Sequence, residues 1–476
     1  MQQTLTRPEL ITPTAPIAVA SHGGRAKCLQ RLARMELPVP RTVALSFDMV
    51  HAIASGQMPD VSTLLEPFGK QPLLCVRPSS EDPDWGGPGA VLNVGMNDGL
   101  YVDLCDRIGQ EAATSIYIRF VQGYSTHVAR LDPDMFDGLI LEGREGLQQV
   151  LAAYEEETEE AFPQEPAVQL AGVLRSMARA WEGTTARLLR QAKGAPADAG
   201  LGLIVQEMAL GLGTGECGSG VIQLVSSTTG RPKITGRYLS QSQGRDALLK
   251  GGSAIYLARD DRGPSLEELA PEAFADLIKY TRMMRVRLRE EMQTEFTIEN
   301  GRVHVLDGVR IPRSPRAAVR IAVAVATDKI VPPEEAILRV EPRAVTEMLH
   351  RQVDPEAPRS VIARGIAASR GAATGRIVFS SATAQTGASR EESCVLIRRE
   401  TTPEDIRGMH ASVAVLTERG GITSHAAVIA RGIGLPCVVG ASDLKVNLRR
   451  NTVTLADGKV LKEGDEITID GTSGEV

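Results

Sequence analysis

The sequence predicts an α/β (α+β) protein of several domains, and three observations carry that prediction. The chain has 476 residues, which at about 150 residues per domain suggests roughly three. Hydrophobic residues make up 42% and charged residues 24%, ordinary values for a globular protein with a sizeable core. Short runs with strand patterning alternate with longer helical stretches along the whole chain.

Taken in order, Ala20-Ser21-His22-Gly23-Gly24-Arg25-Ala26-Lys27 reads as a loop leading into a helix over residues 28–35. Leu37-Pro38-Val39-Pro40 ends it, because proline cannot continue a helix and extends the residue before it. Residues 73–77 form an apolar strand that runs into a turn-rich loop at 78–89. Residues 91–99 are a strand closed by a turn signal, and 107–195 are mainly helical, Phe162-Pro163-Gln164-Glu165-Pro166 opening one long helix. Strand character returns at 201–208, is followed by a glycine-rich stretch at 211–220, and continues through 221–225 and near Tyr238. A charged helix covers 265–292. The hairpin after it turns on Asn300-Gly301, the strongest short hairpin signal. Residues 313–357 are rich in Arg, Glu and Pro and read as a helical connector, and a compact domain follows with strands at 377–379 and 395–397.

Charge and composition narrow the function. The net charge is −6 and the pI about 5.8, which argues against general nucleic-acid binding. The N-terminus lacks the apolar core of a signal peptide, and no apolar run approaches the ~20 residues that span a bilayer. The six cysteines show no Cys-x-x-Cys spacing, as expected of free thiols in a reducing cytoplasm.

The most informative stretch is Gly420-Gly421-Ile422-Thr423-Ser424-His425-Ala426-Ala427-Val428-Ile429-Ala430-Arg431-Gly432. The paired glycines allow a tight turn. Thr423 or Ser424 offers a hydroxyl to cap a helix starting at His425, with Gly432 as its stop. An imidazole at a helix N-terminus sits where backbone N–H groups and the helix dipole favour negative charge, as a phosphorylated histidine requires. An incidental histidine at a helix start is the plainer reading, outweighed by thirteen residues of consistent turn, cap, small-residue helix and stop. By contrast, the glycine cluster at 211–220 matches neither the Walker nor the dinucleotide spacing and on its own is more simply a flexible hairpin.

Taken together, these segments resemble pyruvate, phosphate dikinases, within the PEP-utilising enzymes. The resemblance runs through Gly23-Gly24, Val76-Arg77, Asn93-Val94-Gly95-Met96-Asn97-Asp98, Phe162-Pro163-Gln164-Glu165-Pro166, Gly218-Ser219-Gly220-Val221, Glu295-Phe296-Thr297-Ile298-Glu299, Thr402-Pro403-Glu404-Asp405 and the histidine loop. It implies an ATP-grasp nucleotide-binding region over 1–312, the connector at 313–357, and a swivelling β/β/α phosphohistidine domain over 358–476. His425 falls on the phosphorylated position, with Thr423 and Ser424 beside it. Arg25, Arg77, Gln206, Met208, Gly218, Gly220 and Glu295 fall on the nucleotide site and Glu295 on the metal site, where Asp307, not a family residue, is expected to restore a ligand from the neighbouring strand. ATP and Mg2+ are the implied cofactors. The resemblance stops at the histidine domain, so the barrel that binds PEP and pyruvate is expected on a separate subunit. No nucleic-acid or membrane partner is implied.

The chain departs from the family pattern where phosphoryl chemistry would occur. Arg25 replaces a lysine, Gln293 stands where an aspartate precedes Glu295, and Leu306-Asp307-Gly308-Val309 lacks a glutamine and an arginine. Residues 224–230 also lack an arginine, Gln243-Gly244-Arg245 exchanges an acid for a base, and Glu81, Asp82 and Asp84 make the loop after Arg77 acidic. Phosphoryl transfer depends on positioning and on cations that offset developing charge. Two expectations therefore stand side by side: an ATP-dependent phosphotransferase that passes phosphate to another protein, and a pseudo-enzyme or regulatory carrier that does not use ATP.

Overall fold

The computed structural model describes residues 7–244, 254–354 and 357–476. It is a mixed α/β protein with several sheets, divided into two compact units. One comprises the described residues up to Ser226 together with Pro232–Ile311, and the other Ser227–Arg231 together with Pro312–Val476. Arg245, one of the departures noted above, lies outside the described residues. Among those described, no helix is long and apolar enough to cross a membrane, and the six cysteines are unpaired.

The first unit contains two antiparallel sheets. Strands β1 (Glu9–Leu10), β2 (Thr42–Leu45), β3 (Leu74–Ser80), β4 (Val91–Val94) and β5 (Leu201–Glu207) pair in the order β1-β2-β5-β3-β4. Strands β6 (Gly218–Val225), β7 (Pro232–Ser240), β8 (Met292–Glu299) and β9 (Arg302–Arg310) pair in the order β7-β6-β8-β9. Side chains alternate across a strand, and in the first sheet the alternation is informative. Val43, Leu45, Leu74, Val76, Leu203 and Val205 enter a core shared with the helices Gln110–Tyr124 and Pro166–Glu182. Ala44, Ile204, Cys75, Arg77 and Gln206 alternate with them, so the first sheet puts its ionisable and polar groups on the opposite face. The helical core is closed by Trp181, 2% exposed, whose Nε1 donates to the carbonyl of Ala199 at 3.1 Å and whose ring carries the Arg190 guanidinium at 3.6 Å.

Several boundaries differ from expectation. The first helix spans Val19–Arg34 and not just 28–35, with a break at Gly23 (φ +83°). A Cβ on Gly23 would lie 1.8 Å from the carbonyl oxygen of Ser79, so the missing side chain lets this helix settle against β3. The Ser79 hydroxyl then donates to the His22 carbonyl at 2.6 Å and accepts from the Ala26 N–H at 3.0 Å. Strand β3 runs on through Pro78 to Ser80, where a loop was expected, because residues 78–80 keep pairing with β5. The charged helix splits into Leu266–Leu269 and Pro271–Leu288, proline being well placed at a helix start. The hairpin turn is as read, with Asn300 at φ +51° and Gly301 at φ +72° between β8 and β9.

The second unit opens with the helices Pro315–Thr327, Pro333–Leu338 and Pro342–Met348. A sheet follows, built from β10 (Ile366–Ser369), β11 (Ala372–Val378), β12 (Cys394–Arg398), β13 (Ala414–Thr417), β14 (Cys437–Val439) and β18 (Glu466–Asp470), in the order β10-β14-β13-β12-β11-β18. Its middle strands β11 to β14 are parallel, and both edge strands are antiparallel. Buried on both faces, they read as nearly continuous apolar runs. Val378, Leu396, Val415 and Val439 pack on one face with Ala426, Ala427 and Ala430. Ile377, Val395, Ile397, Leu416 and Val438 pack on the other with Val446 and Val453. The latter two belong to a three-stranded sheet, β15 (Lys445–Asn447), β16 (Thr452–Thr454) and β17 (Val460–Lys462). The layers are thus small sheet, large sheet, helices.

Candidate functional site

Two sites emerge, one in each unit. In the second unit, β13 leads into residues 418–424 and then the helix His425–Ile433, which crosses back to the parallel strand β14. His425 therefore stands beyond the carboxyl end of a parallel strand, where open α/β sheets place their ligands. Gly420 takes φ +113°, and Ser424, not Thr423, caps the helix, its hydroxyl accepting from the Ala427 N–H at 3.4 Å. Thr423 is exposed on the loop. The helix stops at Gly434 (φ +69°) and not at Gly432, because the first left-handed residue comes two positions later. Small residues at 426, 427 and 430 let the helix lie close on the sheet.

His425 is half-buried, and its Nδ1 lies 3.1 Å from the hydroxyl of Thr401. No partner to Nε2 exists among the described residues. In the tautomer whose Nδ1–H donates to Thr401, the nucleophilic lone pair sits on Nε2. Thr401 belongs to the loop after β12, which Asp405 fixes from within. Asp405 is 4% exposed and accepts from the Thr402 N–H at 3.0 Å, Arg398 Nε at 3.1 Å and the Ser381 hydroxyl at 3.2 Å. Nearby, the Thr402 hydroxyl and the Glu404 backbone N–H hold the Glu404 carboxyl below its ordinary value, with a smaller contribution from His425. Arg431 ties down the preceding loop by donating to the Ile422 carbonyl at 2.8 Å. Sequence reading passed over Thr401, whose only signal was its place just before Thr402-Pro403-Glu404-Asp405.

In the first unit, a cavity of about 390 Å³ opens between the two sheets. Arg25, Arg77, Gln206, Met208 and Glu295, five of the residues expected at a nucleotide site, all line it. So do Cys75, Leu92, His127, Glu207 and Thr297, which sequence reading did not single out. Their signal is register: Cys75 pairs directly with Gln206, and Thr297 follows Glu295 on the same face of β8. Gly218 and Gly220 do not line the cavity. They lie in β6, where a Cβ on Gly218 would meet the Leu239 carbonyl oxygen at 2.2 Å and one on Gly220 the Phe296 ring at 2.7 Å. Their bareness accommodates Tyr238 and Phe296, which stack at 6.0 Å with their planes 4° apart.

The charged floor of the cavity is closed on itself. Arg25 Nε donates to Asp307 Oδ2 at 2.6 Å, and Arg77 Nη2 donates to Glu295 Oε2 and lies 3.7 Å from Asp307. Arg25 also donates to the Pro78 carbonyl, and Arg77 Nη1 to the Leu306 carbonyl at 2.9 Å. Burial by itself would raise the Asp307 pKa, but Arg25 and Arg77 together outweigh it and hold the carboxyl below its ordinary value. Burial likewise disfavours the Arg77 cation, and Glu295 with Asp307 overcomes this, so its pKa is raised. Burial, helped by Asp307, pushes the neighbouring Cys28 thiol up to about 12.

This lining fits a nucleoside phosphate: apolar walls at Leu92, Met208 and Leu306, and two guanidinium forks that suit phosphate oxygens. It does not fit a divalent cation. Glu295 and Asp307 are cross-strand partners, yet each is already taken by a guanidinium. Among the described residues, no group of three or more His, Cys, Asp and Glu could hold a metal ion.

Residues 390–474 match the family model for the mobile domain of PEP-utilising enzymes. The fold and the histidine loop thus sit in a module of that class. Over 85% of its length the chain is 37% identical to the pyruvate, phosphate dikinase of Rhizobium meliloti, covering 48% of that protein. It is 31% identical to the dikinase of Rickettsia typhi over the same shares, and 32% identical to the chloroplastic enzyme of Flaveria trinervia, covering 88% of this chain and 45% of that one. Over most of its length the chain is thus similar to pyruvate, phosphate dikinases, and it spans about half the length of the curated relatives it matches.

Proposed function

We propose that this chain is a dikinase-like phosphohistidine carrier: an ATP-grasp nucleotide region joined through the connector helices to a swivelling domain that bears His425. The observation that carries the reading is the His425 imidazole at a helix start, with Nδ1 held by Thr401 and Nε2 unpartnered among the described residues. Nε2 attacks the phosphoryl group of a donor. An N–P bond forms as the donor's P–O bond breaks, the helix N-terminus favours the added negative charge, and the phosphoryl group then passes to an acceptor on another protein. A subunit that binds PEP and pyruvate is the acceptor suggested by likeness to the dikinases.

ATP in the first unit's cavity is the donor in the fully dikinase-like version, with Arg25 and Arg77 against its phosphates and Gln206 and Met208 along its wall. One observation favours the alternative, a regulatory carrier charged from PEP by a partner: the arginine–carboxylate quartet already neutralises the groups that would bind metal. The test is to incubate the full chain with magnesium and β- or γ-labelled ATP, and separately with labelled PEP and a barrel-containing partner. Acid-labile label from ATP that vanishes in His425→Ala supports the autonomous enzyme, and label only from PEP with the partner supports the regulatory carrier. No label on His425 under either condition would sink both.

A further inference from the structure

We infer that the cavity of the first unit binds a nucleoside phosphate without a divalent cation, the Arg25–Asp307–Arg77–Glu295 quartet taking the place of the metal. The inference rests on reading that cavity as a nucleotide site and names the form of ligand it takes.

The argument begins with charge. Two guanidinium and two carboxylate groups lie in mutual contact, with side-chain exposures of 19% and 2% for Arg25 and Asp307 and 12% and 6% for Arg77 and Glu295. Their formal charges cancel. A magnesium ion seeks near-octahedral oxygen coordination, usually from one or two carboxylates together with the phosphates and water. Here three of the four candidate carboxylate oxygens are directed at N–H donors. Asp307 Oδ2 accepts from Arg25 and Oδ1 from the Gly308 N–H at 2.8 Å, while Glu295 Oε2 accepts from Arg77. Coordinating a dication through these carboxylates would drive a guanidinium off its partner. Separating a buried ion pair is the costlier kind of rearrangement, because the abandoned charge keeps its desolvation penalty. Gln293, two residues before Glu295 and hence on the same face of β8, is an uncharged amide that adds no compensating carboxylate.

The same geometry leaves the arginines able to serve a ligand. A guanidinium has five N–H donors. Arg25 uses two, toward Asp307 and the Pro78 carbonyl, and Arg77 uses two, toward Leu306 and Glu295. The remaining N–H groups are held in place by the carboxylates and can meet phosphate oxygens in the planar, forked manner that arginine favours. In this arrangement the carboxylates orient cations that are part of the protein and need not recruit one from solution.

The test is a calorimetric titration of the full chain with ATP and with ADP, once in excess magnesium and once in EDTA. The two dissociation constants for each nucleotide should agree within about twofold. Binding about tenfold or more tighter in magnesium would overturn the metal-free inference while leaving the cavity a nucleotide site. No binding in either buffer would overturn the nucleotide reading and this inference with it. Ala90→Trp, which puts a large ring on a residue that lines the cavity, locates the binding: it should abolish the heat of titration while thermal unfolding shows the chain still folded. Undiminished binding by that folded variant would place the nucleotide elsewhere and overturn the inference.

Discussion

The Thr401 hydroxyl lies 3.1 Å from Nδ1 of His425, joining the loop after β12 to the first residue of the helix after β13. Such a hydrogen bond contributes about 0.5–1.5 kcal/mol, so Thr401→Val should slow phosphorylation of His425 by about two- to tenfold. Thr401→Ser should restore the rate. Nitrogen-15 spectra of the imidazole separate positioning from a general structural defect, because the valine variant should lose the bias of the proton toward Nδ1 while the fold persists. An unchanged tautomer ratio would remove Thr401 from the site.

Gly23 has no substitute in the first unit. Its φ of +83° and the 1.8 Å that would separate an added methyl from the Ser79 carbonyl oxygen act together. Gly23→Ala should destabilise this unit by about 3 kcal/mol, measured by urea unfolding. Gly24→Ala, with a nearest approach of 3.1 Å and no positive φ, should cost much less.

Arg77 and Glu295 are worth more to each other than to the fold. Arg77→Met alone takes the guanidinium away from the buried Glu295 carboxylate and should destabilise by about 3–5 kcal/mol. Arg77→Met with Glu295→Met should recover most of that loss. A double-mutant cycle measures the difference, and simple additivity would show that the ion pair is not coupled.

Acid should weaken the first unit through Asp307. Its folded pKa lies below the ordinary value of 3.8, as the two arginines outweigh the effect of burial. A depressed carboxylate contributes stability that is fully present above its unfolded pKa and is lost as pH falls through the folded one. Stability should therefore decline below about pH 4, and Asp307→Asn, less stable at neutral pH, should show a shallower decline. Urea midpoints between pH 7 and pH 2.5 test the sign.

Much of both sites was legible because it rests on local chemistry. The capped helix start at Ser424-His425 and the turn at Asn300-Gly301 are short-range signals, and both are present. The apolar runs at 377–379 and 395–397 fall on strands buried on both faces. Resemblance supplied Arg25, Arg77, Gln206, Met208 and Glu295, which share one cavity. What local reading missed depends on long-range geometry. The Arg25–Asp307 pair joins residues 282 positions apart, and no local pattern announces it. Resemblance placed Gly218 and Gly220 at the nucleotide site, but they do not line the cavity and instead make room for Tyr238 and Phe296. The turn-rich composition of 78–89 points to a loop from Pro78 onward, although Pro78 holds a β3 position opposite Leu203.

The Trp181 ring, capped by Arg190 and hydrogen-bonded to Ala199, has a use beyond packing. Both tryptophans (Trp85 and Trp181) and all seven tyrosines lie in the first unit, while Phe379 is the sole Phe, Tyr or Trp of the second. Tryptophan and tyrosine fluorescence thus reports on the first unit alone, and the histidine unit unfolds without a signal of that kind. Following the same sample by fluorescence and by far-ultraviolet dichroism reads two unfolding transitions from one unlabelled chain. A single tryptophan introduced in the second unit would then give the histidine module a signal of its own.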